Sequence, residues 1–281
     1  MTRSSVHSAP AASFSSLGII AGNGIYPFAL AKAARAAGVR RIVVAAFENE
    51  TDPELATLVD EVEWMRVGQL GRLVKAFSSR KIEQVIMAGQ IAPGNLFDLR
   101  PDLKAFFVLA KLRERNAESI FGAIGDELAK EGVHLLPATT FMEEHLAGAG
   151  VFAGPRISRR EQDDVAYGFG IAKEVSRLDI GQTVVVKNGT VLAVEGFDGT
   201  NATIRRGGQL GKGDSVVVKV SKPNQDFRFD VPVIGPATLE AAAEAQIRVI
   251  AVEAGRTLVM ERERLAEMAA RLKISLYGME A

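Results

Sequence analysis

Residues 17–47 read LGIIAGNGIYPFALAKAARAAGVRRIVVAAF and contain two apolar runs separated by a segment of helical character. The runs LGIIA (17–21) and RIVVAAF (41–47) are typical of buried strands, because they are short, continuous and rich in β-branched residues. Between them, Pro27 lies in the first turn of a predicted helix that ends before Gly38. This order of elements predicts a βαβ unit with two parallel strands.

The same alternation continues through the first half of the chain. It predicts strands at 62–67, 84–89 and 133–138, and helices at 70–79, 102–115 and 117–130. We therefore expect an α/β domain over residues 17–147, with a doubly wound, Rossmann-like and mostly parallel sheet. Residues 1–16 are rich in Ser and Ala and lack the apolar run of a secretory signal, so we expect a flexible tail.

The second half of the chain has a different character. Residues 148–160, GAGVFAGPRISRR, carry several Gly and Pro turn signals and predict a linker. Beyond it, Asn188-Gly189 separates two apolar runs, which is a strong hairpin signal. We expect residues 161–281 to form a mixed α/β domain. Its other predicted elements are helices at 161–177, 238–246 and 262–272 and strands at 215–220, 248–253 and 257–261.

Composition excludes several classes of function. The chain carries 34 Lys and Arg against 34 Asp and Glu, so it has no bulk field that would attract nucleic acid or an anionic membrane. The absence of cysteine excludes thiolate catalysis, iron–sulfur clusters and disulfides. No apolar run reaches the roughly 18 residues that a spanning helix needs, so we expect no bilayer crossing. Because the positive and negative charges balance, we also expect no nucleic-acid partner.

The segment KPNQDFRFDVPVIGP, residues 222–236, alternates polar and apolar residues. Read as an extended strand, it places Asp226, Arg228 and Asp230 on one face. A straight strand would hold the two carboxylates about 13 Å apart, too far to share one ion, whereas the prolines indicate a bend that brings one or both to a cation or phosphate. The alternative is a solvated edge strand with an Asp–Arg–Asp ion pair.

A second polar segment is EGFDGTNATIRR, residues 195–206. Glu195 follows a predicted strand, Gly199-Thr200 can cap a helix, and Arg205 and Arg206 come one turn later. A carboxylate and two arginines suit a phosphate ester with its metal. The alternative is a helix cap followed by solvated arginines.

Two glycine-rich segments were also considered as phosphate sites. Gly22-Asn23-Gly24 lies between a strand and a helix, where backbone N–H groups can hold a phosphate or ribose. Pro27 replaces the third glycine of the dinucleotide fingerprint, so a mononucleotide fits better than NAD, and a tight turn without a ligand is the alternative. Residues 207–213 lack the spacing and the Ser or Thr of a phosphate loop and predict a flexible loop that could close over a substrate.

Four segments taken together resemble a known family: LGIIAGNGIYP, RLDIGQTVVVKNGTVLAVEGFDGTNATIRR, KPNQDFRFDVPVIGP and EAGRTLVME. They resemble, in this order, the UDP-2,3-diacylglucosamine pyrophosphatase family of lipid A biosynthesis, in its cytoplasmic two-domain form that is unrelated to the calcineurin-like phosphoesterases. The resemblance runs from Leu17 to near the C-terminus. It implies a magnesium-dependent hydrolysis of UDP-2,3-diacylglucosamine to UMP and 2,3-diacylglucosamine 1-phosphate, with the lipid between the domains, and a homodimer.

The resemblance also implies which residues act. In that family, catalysis depends on an aspartate followed by an apolar residue, Pro, one further residue, Ile and Gly, and this position is Asp230. We expect Asp230 and Asp226 to bind Mg²⁺ or Mn²⁺, since carboxylate oxygens select hard cations, with Glu195 as a further catalytic carboxylate. The predicted substrate-binding residues are Gly22, Asn23, Gly24, Thr200, Asn201, Arg205, Arg206, Lys222, Gln225 and Arg228.

One departure from the family pattern affects a loop of the first domain. Relatives commonly carry Gly-Asp-Asp-Ala before a helix, whereas this chain has Asn116-Ala117-Glu118-Ser119. One aspartate is replaced by alanine and the other by the longer glutamate. We therefore expect the contacts of this loop with substrate or metal to differ. Hydrolysis of another UDP-sugar and a non-catalytic nucleotide- or lipid-binding regulatory module are the alternative functions.

A lipid substrate sets a further requirement. Moving an acyl chain of about a dozen carbons into water would cost on the order of 10 kcal/mol, so the protein must supply an apolar chamber. The segment 104–112, KAFFVLAKL, is a candidate lining, with an ordinary buried helix as the alternative. We expect transient contact with the cytoplasmic face of the inner membrane, and domain opening at residues 148–155 as the gate for the lipid.

Overall fold

A computed structural model of the chain describes residues 15–91, 101–113, 117–223 and 225–280. It divides into two compact units, one ending at Phe141 and the other beginning at Met142. The expected tail lies outside the described residues up to position 14, and Ser16 already belongs to the first strand. The boundary between the units comes earlier than residue 147, where the sequence pattern places it.

The first unit contains a five-stranded parallel sheet. Its strands are Ser16–Ala21 (β1), Arg41–Phe47 (β2), Glu61–Met65 (β3), Gln84–Ala88 (β4) and His134–Leu135 (β5). Its helices are Tyr26–Ala36 (α1), Leu70–Ser78 (α2), Leu103–Lys111 (α3) and Ala117–Ala129 (α4). The strand order β3-β2-β1-β4-β5 is that of a doubly wound sheet, which confirms the predicted Rossmann-like fold.

Close packing on the central strand explains its composition. Leu17 and Ile19 are completely buried, and β1 pairs with strands on both sides. A Cβ atom at Gly18 would lie 2.7 Å from the ring of Phe77, which belongs to α2. Only glycine therefore lets α2 approach β1 this closely.

The second unit contains a six-stranded mixed sheet in the order β6-β13-β11-β9-β7-β8. Its strands are Gly150–Ala153 (β6), Thr183–Lys187 (β7), Thr190–Val194 (β8), Ser215–Lys219 (β9), Ile247–Glu253 (β11) and Ser275–Met279 (β13). Val233–Ile234 (β10) and Leu258–Val259 (β12) form a separate parallel pair. Its helices are Arg159–Arg177 (α5), Thr200–Gly211 (α6), Pro236–Glu244 (α7) and Arg262–Leu272 (α8). The prediction of a mixed α/β second half is confirmed.

The strand directions bring several strand ends to one edge of this sheet. Strand β7 is antiparallel to both β8 and β9, and β11 is parallel to β9, so β8, β9 and β11 all run the same way. Glu195 directly follows β8, Lys219 ends β9 and Glu253 ends β11. Since ligands of α/β sheets bind at the carboxyl ends of strands, this edge is where a site is expected.

The segment 148–160 is not a linker between domains. Gly150–Ala153 is strand β6, which pairs antiparallel with β13 at the edge of the second sheet. Helix α5 begins at Arg159, behind a capping box formed by Ser158 and Glu161. An edge strand held by backbone hydrogen bonds needs no regular alternation of side chains, and the Gly-rich composition therefore concealed it.

The prediction of a flexible loop at 207–213 is wrong, since residues 200–211 form helix α6. A Cβ atom at Gly207 would lie 2.4 Å from Cβ of Val185 in β7, and one at Gly208 would lie 2.3 Å from the carbonyl oxygen of Ala245. These glycines allow close packing of α6 against its neighbours. Glycine destabilises a helix interior, and this close packing offsets that loss of stability. The sequence pattern does not show the packing.

Candidate active site

The loop between β9 and α7 carries the aspartates that the sequence singles out. It is not the extended strand we predicted. The carbonyl oxygen of Asp226 accepts the backbone N–H groups of Phe229 (3.2 Å) and Asp230 (3.1 Å), so the chain turns, and only Val233–Ile234 is extended. Asp226 also accepts the Arg228 backbone N–H at 3.0 Å, a local turn that competes with a strand. The bend that the prolines indicate is present.

Asp226 is bound to its neighbour Arg228. Its Oδ2 atom lies 2.6 Å from Nη2 of Arg228, and its Oδ1 and Oδ2 atoms each lie 3.0 Å from Nε. These hydrogen bonds hold the pKa of Asp226 below its ordinary value. This ion pair agrees, for Asp226, with the alternative of an Asp–Arg–Asp ion pair. The Asp226 carboxylate is therefore already bound to Arg228.

Asp230 is in a different state. It is partly buried, and burial raises the pKa of its carboxyl group above the ordinary value, while Lys222, Gln225 and Lys219 act in the opposite direction. In the described part of the chain, no salt bridge joins Asp230 to a lysine or arginine. A partly buried carboxylate without such a partner is electrostatically available to a cation or a reacting water.

Lys219 approaches the same place from the end of β9. Its side chain is buried, with 7% of the residue exposed, and its Nζ atom donates to Oγ1 of Thr200 at 3.0 Å. Burial lowers the pKa of Lys219, and the carboxylates of Glu195 and Asp230 act to raise it. Sequence reasoning missed Lys219, although a lysine that ends an apolar strand at its carboxyl end is a usable signal.

Thr200 connects Lys219 to Glu195. Its hydroxyl donates to Oε1 of Glu195 at 2.7 Å, and Oε2 of Glu195 accepts the backbone N–H of Gln182 at 3.2 Å. Glu195 is buried, and Thr200 is the first residue of α6. Four of the chemistry-bearing residues, Glu195, Thr200, Lys219 and Asp230, therefore meet at one edge of the sheet.

The two arginines of α6 have partners outside this group. Arg205 pairs with Glu244 at 2.6 Å, and both side chains are largely exposed. Arg206 donates to Asp198 at 2.9 Å and to the carbonyl oxygen of Val194 at 3.0 Å. Arg205 thus fits the alternative of a solvated arginine, while Arg206 is held near the end of β8.

Gln225 and Lys222 shape the start of the Asp230 loop. Oε1 of Gln225 accepts the backbone N–H of Lys222 at 2.6 Å, and the Lys222 ammonium pairs with Asp179. Nε2 of Gln225 is buried and close enough to Asp230 to lower its pKa, yet it has no hydrogen-bond partner of good geometry among the described residues. This buried amide nitrogen is therefore an unsatisfied hydrogen-bond donor.

The loop begins at a buried ionic network around Glu253. Its carboxylate, only 1% exposed, accepts Nζ of Lys173 at 2.8 and 2.9 Å and both the backbone N–H (2.8 Å) and hydroxyl (2.7 Å) of Ser221. Burial acts to raise the pKa of Glu253, but these donors bring it below the ordinary value. Arg256 places its guanidinium 4.8 Å from the ring centre of Phe227, so the loop is also held at its turn.

The turn Gly22-Asn23-Gly24 belongs to the first unit. It follows the carboxyl end of β1, where the order of strands reverses between β1 and β4, the switch point at which doubly wound sheets bind ligands. The Asn23 amide donates to Glu50 at 2.7 Å, and a Cβ atom at Gly22 would lie 2.3 Å from the carbonyl oxygen of Gln90. Glycine is thus required at position 22 by packing, and a ligand at this turn stays a prediction.

The donor atoms suit a metal that is shared with substrate. Within the described residues, no group of three or more His, Cys, Asp or Glu could by itself hold a metal ion. Mg²⁺ is commonly bound through one or two carboxylates plus substrate phosphates, and Asp230 is a carboxylate of that kind. Asn116 and the side chains of Ala117 and Glu118 lie outside the described residues, so the departure at that loop is untested.

Fold and site together define a two-domain α/β protein with an acidic, partly buried site at the carboxyl edge of its second sheet. Residues 16–145 match the LpxI N-terminal domain family and residues 148–277 match the LpxI C-terminal domain family. UDP-2,3-diacylglucosamine pyrophosphatase LpxI of Caulobacter vibrioides is 33% identical over 275 residues, covering 94% of this chain and 97% of that protein. The chain belongs to the LpxI family, which confirms the resemblance.

Two solved structures show a weak likeness in fold. The biotin carboxylase domain of Hydrogenobacter thermophilus 2-oxoglutarate carboxylase is 13% identical with a TM-score of 0.29, over 63% of this chain and 36% of that chain. N5-carboxyaminoimidazole synthetase from Staphylococcus aureus is 11% identical with a TM-score of 0.26, over 62% of this chain and 38% of that chain. Neither likeness is strong enough to bear on the site.

Proposed function

We propose that this protein hydrolyses the pyrophosphate bond of UDP-2,3-diacylglucosamine, giving UMP and 2,3-diacylglucosamine 1-phosphate (lipid X), in the biosynthesis of lipid A. Support comes from membership of the LpxI family over both domains and from a relative named for this activity that is matched over 97% of its length. In the structure, the main supporting observation is Asp230, a partly buried carboxylate that lies near the buried Lys219 and has no salt bridge among the described residues.

The chemistry follows from the charges of the substrate. A pyrophosphate resists hydrolysis because its oxygens repel a nucleophile, and a bound divalent cation offsets that repulsion. Asp230 is the carboxylate that either orients the attacking water or helps to hold the cation. Water oxygen forms a new bond to one phosphorus, the bond from that phosphorus to the bridging oxygen breaks, and the water proton passes to a base.

The proposed metal is Mg²⁺ or Mn²⁺, which Asp230 would help to hold and which would offset the charge of the pyrophosphate. Asp226 was predicted as a second ligand, and the Arg228 ion pair must open before it can serve. Chelation with EDTA is expected to stop UMP release, and added Mg²⁺ to restore it. Full activity in excess EDTA would contradict the metal proposal.

An exposed apolar face supports a lipid substrate. None of the described helices is long and apolar enough to pass through a membrane. Helix α3 nevertheless exposes Leu103 (78%), Phe106 (58%) and Phe107 (60%), so it is not an ordinary buried helix. A groove of about 320 Å³ lies between α3 and α4 and combines apolar side chains with three lysines and two acidic residues, Asp126 and Glu127. We assign this face to acyl chains or to transient contact with the cytoplasmic side of the inner membrane.

The membrane part of the proposal has a matched control. Phe106→Ser with Phe107→Ser is expected to weaken cosedimentation with vesicles of phosphatidylethanolamine and phosphatidylglycerol. Leu178→Ser removes a similarly exposed apolar residue from the second unit, at 59% exposure, and is expected to leave cosedimentation unchanged. Equal losses in both variants would contradict the assignment. The homodimer implied by the family resemblance is checked by light scattering of the purified protein.

One assay tests the central proposal against its alternatives. UMP release is measured from UDP-2,3-diacylglucosamine and from non-lipid UDP-sugars, with and without magnesium. We expect release from the lipid substrate only, and only with the cation. Equal rates on UDP-sugars without lipid would indicate a different hydrolase, and binding without any release would indicate a regulatory module.

A further inference from the structure

Lys219 is a buried lysine whose hydrogen bonds are incomplete. Its Nζ atom has three donors, but the only hydrogen bond it makes within the described residues is to the neutral Thr200 hydroxyl, at 3.0 Å. Burial of an ammonium group is unfavourable unless opposite charge or several acceptors surround it. Within the described residues, Lys219 therefore makes one hydrogen bond, with Glu195 and Asp230 as the nearby opposite charges.

Two partly buried lysines of the second unit have more hydrogen-bond acceptors than Lys219. Lys173 contacts both carboxylate oxygens of Glu253 and the carbonyl oxygen of Ser221, each within 2.9 Å. Lys187 donates to the carbonyl oxygens of Gly211 and Gly213, at 2.8 and 2.7 Å. Lys219 differs from both because its surroundings supply fewer acceptors than its charge requires.

Nor is Lys219 simply the counter-ion of Glu195. The Thr200 hydroxyl lies between them, accepting from Lys219 and donating to Glu195 at 2.7 Å. Through this arrangement Thr200 holds the ammonium in place while leaving its other donors free. The carboxylate of Glu195 is occupied by Thr200 and by the backbone N–H of Gln182.

A second buried donor lies beside the same aspartate. Gln225 is 8% exposed, and its Nε2 atom has no hydrogen-bond partner among the residues that the structure describes. Its Oε1 atom is fixed by the backbone N–H of Lys222, which sets the orientation of the amide. No side chain caps the N-terminus of α6 either, where Thr200 begins the helix. The buried donors of Lys219 and Gln225 thus both lie near the Asp230 carboxylate.

We infer that Lys219 binds a phosphoryl oxygen of the substrate's pyrophosphate group, with Nε2 of Gln225 as a second donor. This inference rests on the proposed function and adds a residue to it. Asp230 and Glu195 would repel an incoming pyrophosphate, and a fixed positive charge between them offsets that repulsion. The buried position of Lys219 strengthens the interaction, since water does not compete there.

The test measures binding of phosphate-bearing products apart from turnover. The variant Lys219→Met is titrated calorimetrically with UMP and with short-chain 2,3-diacylglucosamine 1-phosphate. We expect the affinity for at least one of them to fall about tenfold or more, the effect of losing one charge-assisted hydrogen bond. Lys219→Arg is expected to recover part of that affinity, because it restores the charge.

Lys187→Met is the matched control. It removes a lysine from the same sheet that donates only to backbone carbonyls, so it is expected to lower thermal stability without changing either affinity. If Lys219→Met does not fold, Lys219→Arg and Gln225→Leu carry the test. Wild-type affinity for both ligands in every folded variant at positions 219 and 225 would overturn the inference.

Failure of this inference can be told apart from failure of the proposed function. If the wild-type protein releases UMP from the lipid substrate while Lys219→Met binds both products normally, only the role of Lys219 is wrong. If Lys219→Met loses phosphate affinity but the wild type releases no UMP, the phosphate site is supported and the proposed activity is wrong.

Discussion

Glu253 is a buried carboxylate and Asp230 a partly buried one in the same unit, and their hydrogen-bond partners differ. Glu253 accepts four hydrogen bonds from Lys173 and Ser221, and its pKa lies below the ordinary value. Asp230 has no salt bridge in the described structure, and burial holds its pKa above the ordinary value. The comparison separates a carboxylate whose charge the fold satisfies from one whose charge is left for a ligand.

The two are linked through the chain. Glu253 binds Ser221, the residue at which the loop leaves β9, and Asp230 lies further along that loop. A rigid start to the loop keeps Asp230 from relaxing toward solvent, where it would be hydrated. The hydrogen-bonded Glu253 carboxylate thus helps to keep the Asp230 carboxylate in place. Substitutions that remove the two charges should therefore change the stability of the protein in opposite directions.

The largest expected effect is on turnover at Asp230. Asp230→Ala removes the carboxylate that orients water or holds the cation, so UMP release should fall by at least about a hundredfold while the protein stays folded. Binding of the lipid substrate should persist, because most of its contact area is elsewhere. A variant that keeps more than about a tenth of wild-type release would move the catalytic role to another residue.

The next effect is on stability at Glu253. Glu253→Leu leaves Lys173 buried without its partner, and we expect the free energy of unfolding to fall by about 3 kcal/mol. Urea denaturation followed by circular dichroism measures this change. The double variant Lys173→Met with Glu253→Leu should recover part of the loss, since it removes both charges. No recovery in the double variant would show that the ion pair is not the cause.

The pH dependence of stability distinguishes the two sites further. Because the pKa of Glu253 is lowered in the folded state, its contribution is complete above its ordinary value of 4.5 and is lost as pH falls through the folded value. Wild type should therefore exceed Glu253→Gln by a constant margin above about pH 6 and approach it in acid. Lys173 and Arg256 are the charged groups that face this carboxylate. A margin that does not shrink at all as the solution is acidified until the protein unfolds would contradict the assigned role.

The sequence predicted the parallel sheet of the first unit and most strands and helices of the second, because those elements follow from apolar runs and turn residues. It did not predict β6 and β13, whose composition lacks a clear period, or the helical state of Gly207 and Gly208. Both failures have the same origin. Backbone pairing and close helix packing depend on partners distant in sequence, which local patterns do not contain.

The site was predicted unevenly for a related reason. Asp230 was identified because its surrounding motif resembles a family, whereas Lys219 was read only as the end of a strand. The pair Lys173 and Glu253 is separated by 80 residues, and no local signal joins them. The sequence predicts both Asp226 and Asp230 as metal ligands, with an Asp–Arg–Asp ion pair as the alternative, and the structure shows that Arg228 pairs with Asp226.

The smallest effect on stability is expected from Asp230→Asn in the ligand-free protein. It is also the most direct test of the difference between Asp230 and Glu253. Since burial raises the pKa of Asp230, the folded state disfavours its charge, and any stability linked to this group is lost as pH rises through the raised value. A neutral amide of the same shape removes that cost, so calorimetry near pH 7 should show a gain of about 1 kcal/mol. Below the ordinary value of 3.8 the wild-type carboxyl is protonated in both states, and the difference should vanish.

Asp230→Asn and Glu253→Gln would then change stability in opposite directions at neutral pH and converge with wild type in acid. If Asp230→Asn instead destabilises the protein as Glu253→Gln does, Asp230 is held by its surroundings, and the distinction between the two carboxylates is wrong.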